Sequence, residues 1–433
     1  MTMLLTTTTT TTHWLRAYVL YVVSFLDLMA VSMIIPSLAS YIKGMEGGTL
    51  AFGYIMSMYG FIQFFSAPIA GSLSDVYGRR RVLLACFVGA SLGYLILGAS
   101  WNIYLVILSR IPPALFKHSL DIIKVAVTDG QDPETRSASI GRLNAAANAG
   151  FIIGPVVGGY VSAIPNGFNY TTLLTTAIFA LNYALISFFY VDHMPTKAHD
   201  DDQDATPAEK KSVHYRQLVL DTKNKLLEFK NIIHETGPAQ TLLLARLLLA
   251  MAAILYRTHF STLLEDKFGT DPKSRGFVLS YMGVLGAFGS VAVGVVTRFV
   301  RSERLVLQVS SLIYVATFLA LSHATSLRAV YILLVPQVVS ISMLRASSIG
   351  LQTTFVAPER VGTFMGISSS LTSVARTVSP IMSGWTYLVS VDGPAYGAAL
   401  LAGLSAAMFC FSPHFNSINS IKHASNEKKS VKD

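Results

Sequence analysis

Apolar residues run along this chain in long stretches broken by short polar interruptions, and each stretch matches the roughly 20 residues a helix needs to cross a bilayer. Setting every run against its interruptions predicts about twelve spans, at 15–40, 51–73, 82–100, 103–127, 138–163, 171–191, 240–264, 276–297, 304–323, 328–356, 361–389 and 394–412. One long polar interval, 192–236, divides them six and six. It opens with Asp200, Asp201, Asp202 and Asp204 and turns basic through Lys210, Lys211, Arg216, Lys223, Lys225 and Lys230. Inside it Leu218, Val219, Leu226, Phe229, Ile232 and Ile233 recur at near-helical spacing, which suits either a helix lying on headgroups or a solvated linker helix. The pattern thus predicts an all-α integral membrane chain with a disordered N-terminus at 1–14, six-helix halves at 15–191 and 237–413, a linker at 192–236 and a tail at 414–433.

Composition agrees with the pattern. Of the 433 residues, 52% are hydrophobic and 13% charged, with a mean hydropathy of +0.51, outside the range of soluble globular domains. A net charge of +9 raises nucleic acid as a partner, but Lys and Arg fall between apolar runs rather than on one soluble face, so no nucleic-acid partner is expected. If spans alternate in direction, Arg79, Arg80, Arg81, Arg136, Arg298, Arg301, Arg304, Arg360 and the tail lysines share one side. Little beyond Lys43, Lys267, Lys273, Arg275 and Arg328 opposes them, so the positive-inside rule puts both termini and the linker in the cytoplasm. The Thr6 to Thr12 tract has no charged n-region or cleavage site, so the first span is expected to direct insertion. Cys86 and Cys410 lie within apolar runs and read as small packing residues.

The two halves repeat one another. Without a gap, Gly53 aligns with Gly276, Ser57 with Ser280, Gly60 with Gly283, Gly71 with Gly294 and Arg81 with Arg304, all 223 positions apart. A second block aligns Gly141 with Gly366, Pro155 with Pro380 and Gly159 with Gly384 at an offset of 225. Six spans per half repeated in the same order imply parallel halves about an axis along the membrane normal, a pair that can rock about a central site.

Two motifs carry a family resemblance. "GSLSDVYGRRR" follows the second span and resembles the Gly-x-x-x-Asp-x-x-Gly-Arg-Arg signature of the major facilitator superfamily through Gly71, Asp75, Gly78, Arg79 and Arg80. The glycines let the loop turn, the arginines suit headgroups, and Asp75 can latch one conformation by meeting a helix N-terminus or an Arg of the other half. "GFIIGPVVGG" in the fifth span, with Gly150, Gly154, Pro155, Gly158 and Gly159, is similar to the fifth-helix motif of the drug:proton antiporter branch, which includes tetracycline exporters. Small residues four apart permit close backbone approach and Pro155 permits a bend. "SRIPPALFKHSL" and "RVGTFMGISSSLTSVARTVSPIMSGW" resemble orphan animal members of that branch. The fourth span departs from the branch pattern Arg-x-x-Gln-Gly: Arg110 is present, but Pro113 and Ala114 replace Gln and Gly, which weakens a proton-relay role for Arg110.

Charges inside spans cost about 2.5–3.5 kcal/mol each on insertion scales and so call for a partner, a wet cavity or a function. They are Asp27, Arg110, Lys117, His118, Asp121, Lys124, Arg246, Arg257, Arg345 and Arg376, several on spans 1, 4, 7 and 10, which line the cavity in the resembled family. His118, Asp121 and Lys124, three apart, can share one helix face, either passing a proton or holding a static Asp121–Lys124 pair. Asp27 has no charged neighbour one turn away and reads as a titrating or cation-binding carboxylate, or as the partner of an Arg from another span. Arg345 and Arg376 suit an anionic group of a solute, and His259 and His323, near span ends, are expected at the interface. There is no phosphate loop, metal-spaced cluster or catalytic constellation, so neither an enzyme, a cofactor nor a metal site is expected. The expected partners are a small organic solute, protons and the lipid bilayer, with the monomer as the working unit. The resemblance implies alternating-access transport with proton antiport; an uncoupled facilitator and a non-cycling receptor or scaffold are the alternatives.

Overall fold

The structure is a computed structural model that describes residues 2–45, 47–129, 131, 133–192, 237–300, 302–355 and 361–411. The linker expected at 192–236, apart from Asp192, and the tail lie outside the described residues. Only helices and turns occur among those described. In the first half they are α1 (Thr2–Lys43), α2 (Gly48–Tyr77), α3 (Arg79–Gly98), α4 (Ile103–Phe116), α5 (Ser119–Thr128), α6 (Pro133–Ser162) and α7 (Gly167–Phe189). The second half holds α8 (Gly237–Thr258), α9 (Phe260–Phe268), α10 (Pro272–Val300), α11 (Glu303–Ser322), α12 (Leu327–Phe355), α13 (Val361–Val389) and α14 (Gly393–Phe411).

Ten of these helices are long and apolar enough to cross a membrane. The other two expected spans are the α4–α5 pair and α13. Span 4 is not one helix over 103–127. Pro112 and Pro113 remove backbone donors in its last turns, the chain breaks at Lys117–His118, and α5 starts afresh at Ser119. Span 7 breaks likewise at His259, between α8 and α9. The threonine tract expected to be disordered is carried as helix, because α1 begins at Thr2: once the apolar segment has nucleated a helix, adding residues costs little.

Helix boundaries follow local chemistry. The Asn102 side chain accepts from Leu105 N (2.9 Å) to start α4, and Asp271 accepts from Ser274 N (3.0 Å) to start α10. The hydrogen bonds from Ser274 hold the Asp271 carboxyl below its usual range. Gly78 ends α2 at φ 91°, and a β-carbon there would also strike the Asp192 carboxylate.

The outer surface of the bundle is apolar. Phe188, Phe299, Val389 and Phe411 are each at least 80% exposed, which suits lipid tails as neighbours. Two separate interiors pack beneath it. One stacks Phe179 between Phe87 and Tyr94, and the other gathers Tyr256, Tyr314 and Phe318. The halves meet along two helix pairs, α2 with α13 and α6 with α10.

Candidate functional site

Those two pairs close at one end of the bundle. Gly53 of α2 lies on the Pro380 carbonyl and Gly384 of α13, and Gly276 of α10 lies on the Pro155 carbonyl and Gly159 of α6, so a β-carbon at either would overlap backbone. Ile381 N donates to Ser57 Oγ (3.1 Å), and Ser280 Oγ donates to Ile152 O (2.5 Å). The residues that align in the internal repeat are therefore the ones that make the two equivalent crossings.

Polar contacts reinforce this closed end. Lys43 pairs with Asp266, Arg275 with Glu265, and Ser40 donates to Glu265. Tyr387 donates to Asp266 (2.6 Å), and Lys267 pairs with Asp392 (2.8 Å). His259 is fully buried rather than interfacial, because the break after Thr258 turns it inward, where Nε2 reaches Thr49 O (2.9 Å) and Nδ1 reaches Ser383 Oγ (2.7 Å).

Beyond the seal the helices diverge around three adjoining lobes of 580, 380 and 340 Å³, the size range of small-molecule sites. Arg257 and Arg345 line the first two lobes, and Arg376 lines the last two. Arg246 joins them in the second, Phe151 and Asn148 face the first, and Gln63, Phe64, His118 and Asp121 face the third. At the far end of the bundle no described atom lies within 4 Å of where a β-carbon would stand at Gly71, Gly141 or Gly366.

In the first half every intramembrane carboxylate among the described residues has a partner in the same half. Asp27 is fully buried; it accepts from Lys117 Nζ (2.5 Å) and Ser119 Oγ (3.0 Å), so its partner is a lysine at the helix break rather than an arginine. His118 does not share a helix with Asp121, because it precedes the first turn of α5. Its Nε2 reaches Ser66 Oγ (2.8 Å), which donates to Ala114 O (2.8 Å). Asp121 pairs with Lys124 at 3.0 Å. Arg110 is buried over the Tyr94 ring (5.7 Å), with Nε and Nη2 unpartnered. In the second half Arg246, Arg257, Arg345 and Arg376 face the cavity with no acidic partner among the described residues.

Both motifs are placed as well. Arg79 pairs with Asp75 and donates to Ser74 Oγ (2.6 Å) and Asp129 Oδ2 (3.3 Å), while Arg80 N donates to Asp192 Oδ1 (2.8 Å) and its guanidinium to Ser187 O. None of these contacts reaches the second half; all stay within the first half except the one to Asp192, the first residue of the linker. Gly150, Gly154 and Gly158 lie against the α1 backbone at Phe25, Met29 and Met33, leaving Gly159 for α10. Pro155 sits inside α6 between the two contacts.

The sequence profile of the Major Facilitator Superfamily matches residues 18–334. The chain belongs to this superfamily. It is similar to human solute carrier family 67 member A1, 27% identical over 82% of this chain and 81% of that protein. It is also similar to the class D tetracycline resistance protein of Salmonella ordonez, 25% identical over 90% of this chain and 95% of that one. Among solved structures, the human organic anion transporter MFSD10 overlays with a TM-score of 0.61 at 19% identity, covering 92% of this chain and 99% of that chain, a likeness of fold alone. The first and third lobes are walled by both halves, and the second, which shares Arg257, Arg345 and Arg376 with them, is walled by the second half.

Sequence reasoning missed Glu265, Asp266 and Asp392. Its signal was available, since Lys43 and Asp266 stand 223 positions apart, the offset of the repeat itself.

Proposed function

We propose that this superfamily member is a secondary active transporter that moves a small organic solute by alternating access, and that protons move in the opposite direction. The observation that carries the reading is the unequal treatment of the repeat glycines. Gly53, Gly159, Gly276 and Gly384 are packed backbone to backbone at one end, and Gly71, Gly141 and Gly366 stand clear at the other. Rocking the halves about the cavity would exchange the two conditions, bringing the second group together as the first separates. Because Arg79, Arg80 and Arg81 sit at the open end, the positive-inside rule makes this the cytoplasm-facing state, and Asp75 becomes the latch of the opposite one.

Cysteine accessibility tests the cycle. With Cys86 and Cys410 replaced by Ala, a Cys at Ser342 in the cavity should label with impermeant maleimide from both sides of the membrane when the protein turns over. Labelling from one side only identifies a frozen scaffold.

Proton exchange is supported by the likeness to tetracycline resistance proteins and by Asp27, whose pair with Lys117 adjoins His118 on the cavity wall. The full satisfaction of Asp27 also favours a second reading, an uncoupled facilitator in which the pair is structural. The variants Asp27→Asn, Lys117→Met and their combination separate the two. Each single change leaves a buried partner stranded and costs about 3–5 kcal/mol in thermal unfolding, and the double recovers most of it. A double variant that equilibrates a labelled solute without moving protons in proteoliposomes supports coupling through Asp27; one that still moves protons ends that assignment.

A further inference from the structure

We infer that the cavity takes an amphipathic organic anion, held by the guanidinium groups of Arg246, Arg257, Arg345 and Arg376. The inference rests on the transport reading for what the cavity does, but the binding itself stands on the charge balance of the walls.

All four arginines line the lobes, and no carboxylate among the described residues neutralises any of them. Arg246 and Arg257 are eleven residues apart on α8, three helical turns, so both project from one face. Arg345 lines the same lobe as both of them, so three like charges face one enclosed space and repel one another. Among the described residues the only acidic one on the walls, Asp121, already pairs with Lys124. A cation entering here would meet like charges with one committed carboxylate to hold it, whereas an anion relieves the repulsion and receives paired N–H donors from planar guanidinium groups.

The rest of the wall describes the remainder of the ligand. The 580 Å³ lobe is lined by Leu279, Met282, Val338 and Ile341, and the Phe151 ring lies 5.3 Å from the Arg257 guanidinium carbon. An apolar or aromatic body fits this lobe while its carboxylate, sulfonate or phosphate group meets Arg345 and Arg376 in the next.

Two dyes with one xanthene body provide the test. Fluorescence anisotropy of carboxyfluorescein, an anion, and rhodamine 6G, a cation, is measured with the purified full-length protein at fixed ionic strength. Saturable binding of carboxyfluorescein, weakened about tenfold or more in Arg345→Gln and in Arg376→Gln and partly restored in Arg345→Lys, is the expected result. Preference for rhodamine 6G by the unsubstituted protein overturns the inference without reference to any variant, as does carboxyfluorescein binding that ignores both Gln variants. Inorganic sulfate that displaces the dye at equal concentration overturns the amphipathic part. Uptake into proteoliposomes is scored separately. Arginine-dependent binding without uptake removes the transport reading and leaves the anion site; uptake of the cation without anion binding does the reverse.

Discussion

The two ends of the interface between the halves are built from aligned residues and behave differently. At the sealed end, glycine on carbonyl brings helices into backbone contact, and the Lys43–Asp266 ion pair and the hydrogen bonds of Ser40 with Glu265 and Arg275 span the halves. At the open end, the aligned glycines face empty space, and the charged motif of Asp75, Arg79 and Arg80 makes no bond to the other half. Close approach at a glycine therefore belongs to a conformation as much as to a sequence. A residue with no visible packing role in one state can be indispensable in the other.

The largest expected effect comes from Gly276→Leu, whose side chain overlaps the Pro155 carbonyl. Overpacking of this kind costs about 3 kcal/mol. It should open the sealed end, raising labelling of a Cys at Ser342 from that side by a hundredfold or so, and an unchanged rate would mean that the glycine contact does not hold that end shut. Gly366→Leu at the open end should leave this labelling and the thermal stability unchanged and yet stop turnover. Glu265→Gln strands a neighbour, Arg275, that is 3% exposed, and should loosen the seal by about 1–2 kcal/mol, read as a roughly tenfold rise in the same labelling rate. Lys43→Met removes a partly exposed pair with Asp266 and should contribute less than about 1 kcal/mol, a difference that shrinks further in high salt.

Much of the fold was legible because the bilayer imposes one length scale on apolar runs. The repeat was legible too, since each half solves the same packing problem with the same glycines and prolines. What escaped were relations across the chain. Asp27 and Lys117 are 90 positions apart, and nothing local to Asp27 announces the lysine. The break that delivers Lys117 was signalled by Pro112 and Pro113, but an apolar run of the right length concealed it. His259 was misplaced for the same reason: nearness to a span end implies water only where the helix continues to the surface. The arginines of the cavity were found as intramembrane charges, whereas their lack of carboxylate partners emerged only from the assembled walls.

The pair Lys43–Asp266 has a consequence that reaches beyond the seal. Its members occupy equivalent places in the two repeats and meet each other, which puts them on the pseudo-twofold axis. In a symmetric dimer of identical chains, such a position can only meet its own copy, so two lysines or two aspartates would be pressed together. Joining the halves in one polypeptide lifts that restriction. The self-meeting position can then carry opposite signs, and a contact that identity would make repulsive becomes a clasp.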